Sequence, residues 1–226
     1  MTQTSPDKLV IRGIEALKKS GAKIECENGK MRFLTRPITN HMWRYVKHDP
    51  RMNCTLWKTV IYQAIGNSEW IPSMCQNCYK VVVRPKTYNE FLELEKFMVE
   101  LDHPSKLGCE TRHAVGALYG AYFYNRGLDE GKVCWKKVAS EWPIAILKRG
   151  CTEFEYKHGP SDKWEVTDFQ KEIEREVENS IEVPPQTYMQ SENEINKLHD
   201  KWKNFAWKFD LSYEGPNLYP RYVTYH

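Results

Sequence analysis

Long apolar runs are missing from this 226-residue chain. No stretch approaches the roughly 18 consecutive apolar residues that would cross a bilayer, which excludes a membrane-spanning protein. Met1 to Leu17 carries polar and charged residues where a signal peptide would hold an unbroken apolar stretch, so the expectation is a cytoplasmic protein. Glycine and proline number only 12 each and no short period recurs, which excludes collagen-like, coiled-coil and low-complexity classes. A glycine-rich phosphate loop, an HExxH pair and a GxSxG elbow are also lacking. Nucleotide hydrolysis, zinc-protease and α/β-hydrolase chemistry therefore have no positive support, and no catalytic residue can be named.

What is present has an ordinary globular composition: 41% apolar, 28% charged and 13% aromatic residues, with a mean hydropathy of −0.68. The formal net charge is only +3, but it is unevenly spread. Residues 1–80 hold 13 Lys/Arg against 6 Asp/Glu, whereas 162–200 hold 4 against 11. Two solvated faces of opposite sign account for this more simply than a basic ligand surface does.

The pattern of elements is clearest in the middle third. Ser5-Pro6 opens a helix that ends near Ser20, and Asn28-Gly29 supplies the turn of a hairpin over Lys23 to Leu34. The mix of aromatic and basic residues from Thr39 to Pro50 has no clean period and reads as irregular or a short helix. Cys54 to Ile65 has helical spacing. Val81-Val82-Val83 before Pro85 reads as a buried strand, and Thr87 with Glu90 opens a helix to about Leu101. Strands over Lys106 to Thr111 and Tyr119 to Asn125, a helix over Leu128 to Glu141 and a strand over Ile144 to Lys148 follow.

That order, strand-helix-strand-strand-helix-strand, is the split βαβ order of ferredoxin-like α+β folds. The main competitor makes Ala114 to Tyr122 helical. Helices are added at both ends. One carries the stripe Phe169, Ile173, Val177 and Ile181, with Glu172, Glu174, Glu176 and Glu178 mostly lateral or outward. The other is capped by Ser191 and Glu194 and carries Ile195, Leu198, Trp202, Phe205 and Phe209. The expected organisation is a single domain over 1–226: an N-terminal helix and hairpin region (1–72), a Cys-rich α+β core (73–160), and a helical wrap with an aromatic tail (161–226).

Seven cysteines carry the chemistry: Cys26, Cys54, Cys75, Cys78, Cys109, Cys134 and Cys151. In a reducing compartment disulfides are disfavoured, so such residues are packed thiols or metal ligands. Cys75-Gln76-Asn77-Cys78 places two thiols two residues apart just before a strand. A thioredoxin-like pair sits instead after a strand, at a helix N-terminus. Cys109 follows Gly108 and Cys151 follows Gly150, each near a strand end, so Cys75, Cys78, Cys109 and Cys151 are the expected ligand set. Cys54 at a helix start is the reserve, and Cys134 and Cys26 read as structural.

Only one close pair of cysteines exists, whereas structural zinc sites commonly use two. Ligands spread over a domain suit an iron–sulfur cluster, a 4Fe-4S centre being the expected form, with zinc as the alternative occupant. The implied task is a redox or cluster-dependent activity with a redox partner or small-molecule substrate. The alternative is a zinc-stabilised module that binds nucleic acid or protein.

Histidine and aromatic residues add little to this. His113, four residues after Cys109, reads as a loop residue, and His103-Pro104 and His158-Gly159-Pro160 read as turns. The run Gly116 to Tyr124 is similar to the aromatic strand on which RNA-recognition domains stack bases. It lacks the basic residue expected at its start, and burial of Tyr122 and Tyr124 against the helices explains it equally well.

Overall fold

A computed structural model describes residues 8, 11–12, 15, 24–27, 30–33, 42–47, 71–112, 115–150, 152–182 and 190–215. In chain order the elements are β1 (Ile24–Glu27), β2 (Lys30–Phe33), β3 (Trp43–Lys47), a 3-10 turn (Ser73–Asn77), β4 (Cys78–Val83), α1 (Tyr88–Leu101), β5 (Ser105–Cys109), β6 (Tyr119–Arg126), α2 (Leu128–Glu141) and β7 (Ile146–Arg149). After them come α3 (Thr152–His158), a second 3-10 turn (Ser161–Lys163), α4 (Asp168–Ser180), β8 (Ile181–Glu182) and α5 (Glu192–Phe209). No described helix is long and apolar enough to cross a membrane.

Two compact units share the chain. One comprises Met1–Ile38, Asp49–Cys78 and Arg149–Thr187, and the other Thr39–His48, Tyr79–Lys148 and Tyr188–His226.

The second unit is α+β, built on a five-stranded sheet in the order β3-β5-β6-β4-β7. Its α1 begins at Thr87, whose side chain accepts from the Glu90 N–H (3.2 Å), while the Glu90 carboxylate accepts from the Lys86 N–H (2.7 Å). Such contacts satisfy amides that have no partner inside the helix. The Ser191–Glu194 capping box at the start of α5 forms in full.

Because side chains alternate along a strand, one face of the sheet collects Val81, Val83, Leu107, Tyr119, Ala121 and Phe123. These pack with Phe91, Leu94 and Met98 of α1, Val138 of α2, and Leu198, Trp202 and Ala206 of α5. The other face collects Trp43, Val82 and Tyr122, with Met42, Tyr45 and Tyr124 alongside. This reverses the expected placement of Tyr122 and Tyr124. Tyr119 and Phe123 are the aromatic residues of β6 that meet the helices. The segment is a strand, so the helical alternative for Ala114 to Tyr122 does not hold over its described residues.

Thr39 to Pro50 also differs from expectation, since Trp43–Lys47 is a strand. It pairs antiparallel with β5, Trp43 opposite Gly108 and Tyr45 opposite Lys106. Its alternation is real, but one parity is aromatic and the other holds Arg44 and Val46. Arg44 pairs with Glu95 of α1, and Lys47 donates to the Asp102 carboxylate (2.6 Å) and carbonyl (2.9 Å) just past α1.

In the first unit β1 and β2 form the expected hairpin, with Glu27 opposite Lys30. β8 adds to it in parallel, Met31 opposite Ile181. Ile181 thus lies on a strand and not on the helical stripe. Glu174 is buried (7% exposed) and not outward. Lys8, Ile11, Arg12 and Glu15 are helical. The expected helix at Cys54 to Ile65, His113, and the tail from 216 onward lie outside the described residues.

Candidate functional site

The Cys-Gln-Asn-Cys segment is a single 3-10 turn leading into a strand. The Cys78 N–H donates to the Cys75 carbonyl, closing the loop between the two cysteines. Cys75 lies within the turn, whereas Cys78 is its extended C-cap and the first residue of β4. Both are 4–5% exposed, and both are carried as thiols.

Three contacts from within the unit hold this turn. Glu174 of α4 accepts from the Ser73 N–H (2.9 Å) and from the Ser73 hydroxyl at the start of the turn. Gln170 braces it by donating to Glu174 (2.7 Å) and to the Ile71 carbonyl (2.6 Å). Gln76, between the cysteines, accepts from Arg149 and donates to the Trp164 carbonyl (3.0 Å). Cys75 packs in a small cluster with Ile71, Phe154 and Trp164.

The link to Cys151 comes from its neighbour. The Gly150 N–H donates to the Cys78 carbonyl at 2.7 Å, which ties the residue just before Cys151 to the residue that ends the Cys75–Cys78 turn. Gly150 has φ +68, and a Cβ there would stand 2.4 Å from the Trp164 ring. Gly150→Ala combines a left-handed backbone with a clash against a large buried ring. It is expected to cost about 2–3 kcal/mol, on the order of the strain and packing terms combined, read as a lower denaturant midpoint of the first unit. An unchanged midpoint would show that Trp164 moves aside at no cost.

Cys151 itself lies outside the described residues, as does Cys54, and Cys26 lies on β1. Cys109 is fully buried in the helix-side core of the second unit, beside Tyr88, Phe91 and Tyr119. Burial pushes its thiol well above the ordinary range. Cys134 is buried on α2, and its thiol is pushed up to about 11, mainly by burial. A packed, neutral thiol is what the sequence led one to expect for Cys134. Among the described residues no group of three or more His, Cys, Asp or Glu side chains converges as a metal site. His103 lies in the connection between α1 and β5, just after the turn at Asp102, and its Nε2 is 2.9 Å from the Tyr124 carbonyl.

Sequence reasoning passed over Gln76, Ser73 and Glu174. The only available signal was Gln76 lying inside the CxxC, because the Glu174 contact joins positions a hundred residues apart.

Just past Cys109, Glu110 and Arg112 pair with each other. Arg112 Nε donates to Glu110 (2.7 Å), Arg112 Nη2 donates to the Tyr122 hydroxyl (2.8 Å), and that hydroxyl donates back to Glu110 (3.0 Å). Burial pushes the Glu110 carboxyl up, but the Arg112 hydrogen bonds and charge, with the Tyr122 hydroxyl, outweigh it and hold the group below its ordinary value. The chain matches no family model, no curated protein sequence and no solved structure.

Proposed function

We propose that this is a cysteine-ligated metalloprotein that holds an iron–sulfur cluster on the Cys75–Cys78 turn. One observation carries the reading: the Cys78 carbonyl accepts from the Gly150 N–H, so the only CxxC of the chain is bonded to the residue preceding another cysteine. Two buried thiols on one closed turn fit a thiolate-bound ion or cluster, and the bracing by Glu174 and Gln76 would hold them in place.

Cys75, Cys78 and Cys151 are the proposed ligands. The fourth expected from the sequence is Cys109. The reserve, Cys54, belongs by chain position to the unit that carries the turn. A cluster of this kind supplies one-electron transfer, and a redox partner follows from that. Arg149, bonded to Gln76, would contribute positive charge beside an anionic centre. Ligands kept as thiols suit a reducing compartment, hence the cytoplasm.

For the second unit we further propose a ferredoxin-like core. Counted from the β7 edge, the strands β4 to β7 stand fourth, first, third, second, the order expected of split βαβ units.

Anaerobic purification with an absorption spectrum and analysis for iron, sulfide and zinc on one sample tests the proposal. The expected result is iron and sulfide in similar amounts with broad absorption near roughly 400 nm, where thiolate-held clusters absorb. Cys75→Ser should abolish the colour and Cys134→Ser should keep it. Comparing Cys54→Ser with Cys109→Ser identifies the fourth ligand. Colourless protein with about one zinc per chain would replace the cluster by a zinc site, and no bound metal would overturn the reading.

A further inference from the structure

The five-stranded sheet is finished differently at its two edges. At the β3 edge the Gln190 side-chain amide accepts from the Tyr45 N–H (2.9 Å) and donates to the Trp43 carbonyl (3.0 Å). An amide placed this way takes up backbone groups that an added strand would use. The neighbouring part of the face turned away from the helices is closed as well. Gly108 and Gly120 sit opposite each other on β5 and β6 and let the Trp43 and Tyr122 rings lie close against the strands, where both are buried.

The other edge is open. β7 is the outermost strand there, so its outer backbone groups meet no further strand of the sheet. Ile144 and Ile146 are 47% and 54% exposed. Ala145 and Leu147 belong to the helix-side core, so by alternation the two isoleucines stand on the opposite face. On the helix side α2 borders the edge, and Trp135 Nε1 donates to the Ala145 carbonyl (2.9 Å). Leu128, Lys132 and Trp135 lie at i, i+4 and i+7, a lateral stripe of α2 separate from Gly131, Cys134 and Val138, which are buried. Leu128 and Trp135 are both exposed large apolar residues, so the edge carries apolar side chains above and below the strand.

We infer that a second copy of this chain covers this edge, β7 pairing antiparallel with its counterpart about a two-fold axis and the two α2 helices lying side by side. Spacing argues for this occupant. A Cβ at Gly131 would stand 3.0 Å from Leu147 of β7 and 3.1 Å from Tyr79 of β4, so α2 lies over the gap between those neighbouring strands, half a strand spacing inside β7. Joining two β7 strands adds one spacing, which sets the helices two spacings apart, about 10 Å. Packed helices are separated by about 8–10 Å.

Charge argues the same way. Asp129, in the first turn of α2, pairs with Lys132 (4.0 Å), and Lys136 follows one turn later. Antiparallel helices that set Leu128 beside Trp135 of the second copy also set Asp129 between Lys132 and Lys136 of that copy. A stripe that matches itself when reversed is what an isologous interface requires.

Sedimentation velocity of the full chain over a range of concentrations, under reductant, tests the inference. The expected result is a reversible monomer–dimer equilibrium in the micromolar range, as a small interface gives. Ile146→Thr retains strand propensity and Leu128→Glu suits a first helical turn, and each should weaken the dimer by about tenfold with the circular dichroism unchanged. Asp129→Lys and Lys132→Asp should each weaken it through like-charge contact, and an equimolar mixture of these two variants should recover it, since each chain then meets opposite charge.

A monomer at every concentration would overturn the inference. So would a dimer that all four variants leave intact, which would put the contact on another surface. Weakening in both charge variants without recovery in their mixture would overturn the antiparallel arrangement. The edge lies in the second unit and the Cys75–Cys78 turn in the first, and none of these outcomes reads metal content, so the inference and the cluster proposal fail separately.

Discussion

Replacing Trp202 by alanine is expected to be among the most damaging single changes in the second unit, costing about 4 kcal/mol, as large-to-small core changes of aromatic residues do. Trp202 is fully buried and meets the Phe91 ring edge-on at 4.7 Å and the His199 ring at 5.2 Å. Its Nε1 donates to the Met42 carbonyl at 3.0 Å, so one side chain fastens α5 both to α1 and to the chain entering β3. At about 2–4 °C per kcal/mol for a chain of this size, the melting temperature should fall by about 8–16 °C. Trp202→Phe keeps most of the volume and loses the N–H, and should cost about 0.5–1.5 kcal/mol for one lost hydrogen bond, since the Met42 carbonyl still accepts from the Cys109 N–H at 3.3 Å. Near-UV circular dichroism during thermal unfolding measures both. Equal losses for the two variants would mean that the hydrogen bond outweighs the packing.

Asp210→Ala is expected to cost about 3 kcal/mol, because it strands buried donors at about 1–3 kcal/mol each. The Asp210 carboxylate accepts from the Tyr88 N–H (2.8 Å), the Tyr119 hydroxyl (2.9 Å) and the Ser212 N–H (3.0 Å). The Tyr88 amide belongs to the first turn of α1, where a negative group is also favoured by the helix dipole. Burial pushes this carboxyl up, but the hydrogen bonds from Ser212, Tyr119 and Tyr88 prevail and hold it below its ordinary value of 3.8.

A carboxyl lowered in the folded state contributes stability that is fully present above the unfolded value and is lost as pH falls through the folded one. The stability gap between the native protein and Asp210→Ala should therefore be constant from pH 7 to about 5 and shrink below 3.8. Denaturant unfolding at several pH values reads this directly. A gap undiminished at pH 3 would show that the charge contributes nothing beyond the geometry of the acceptor.

The elements legible beforehand are those whose signals are local. Thr87 with Glu90 and Ser191 with Glu194 mark helix starts within four residues, and of the expected α5 stripe Leu198 and Trp202 are buried and Ile195 and Phe205 half-buried, while Phe209 is 56% exposed and Ala206 is buried instead. Val81 to Val83 before Pro85 reads as a strand because a short branched run can do little else. β3 was not legible. Its partner β5 lies far along the chain, and its aromatic and basic residues alternate without a polar face to mark the period.

Tyr119, Tyr122, Phe123 and Tyr124 show a different limit. Any one-residue shift of register exchanges the two faces of a strand, and four aromatic residues in six positions look alike on either face. Only packing against α1 and α5 shows that Tyr119 and Phe123 turn inward while Tyr122 and Tyr124 turn to the other side.

By itself the sequence determined the residue types available for chemistry, the CxxC spacing, the caps and amphipathic stripes of the helices, and the lack of a membrane-length apolar run. These follow from covalent neighbours and local periodicity. Only the tertiary structure decided that Gly150 bonds to Cys78, that Glu174 turns inward to hold Ser73, that Cys109 sits in an apolar core, and that paired glycines bed Trp43 and Tyr122 on one face of the sheet. Each of these joins residues far apart along the chain. Such contacts depend on the summed packing of whole elements, which no local pattern encodes.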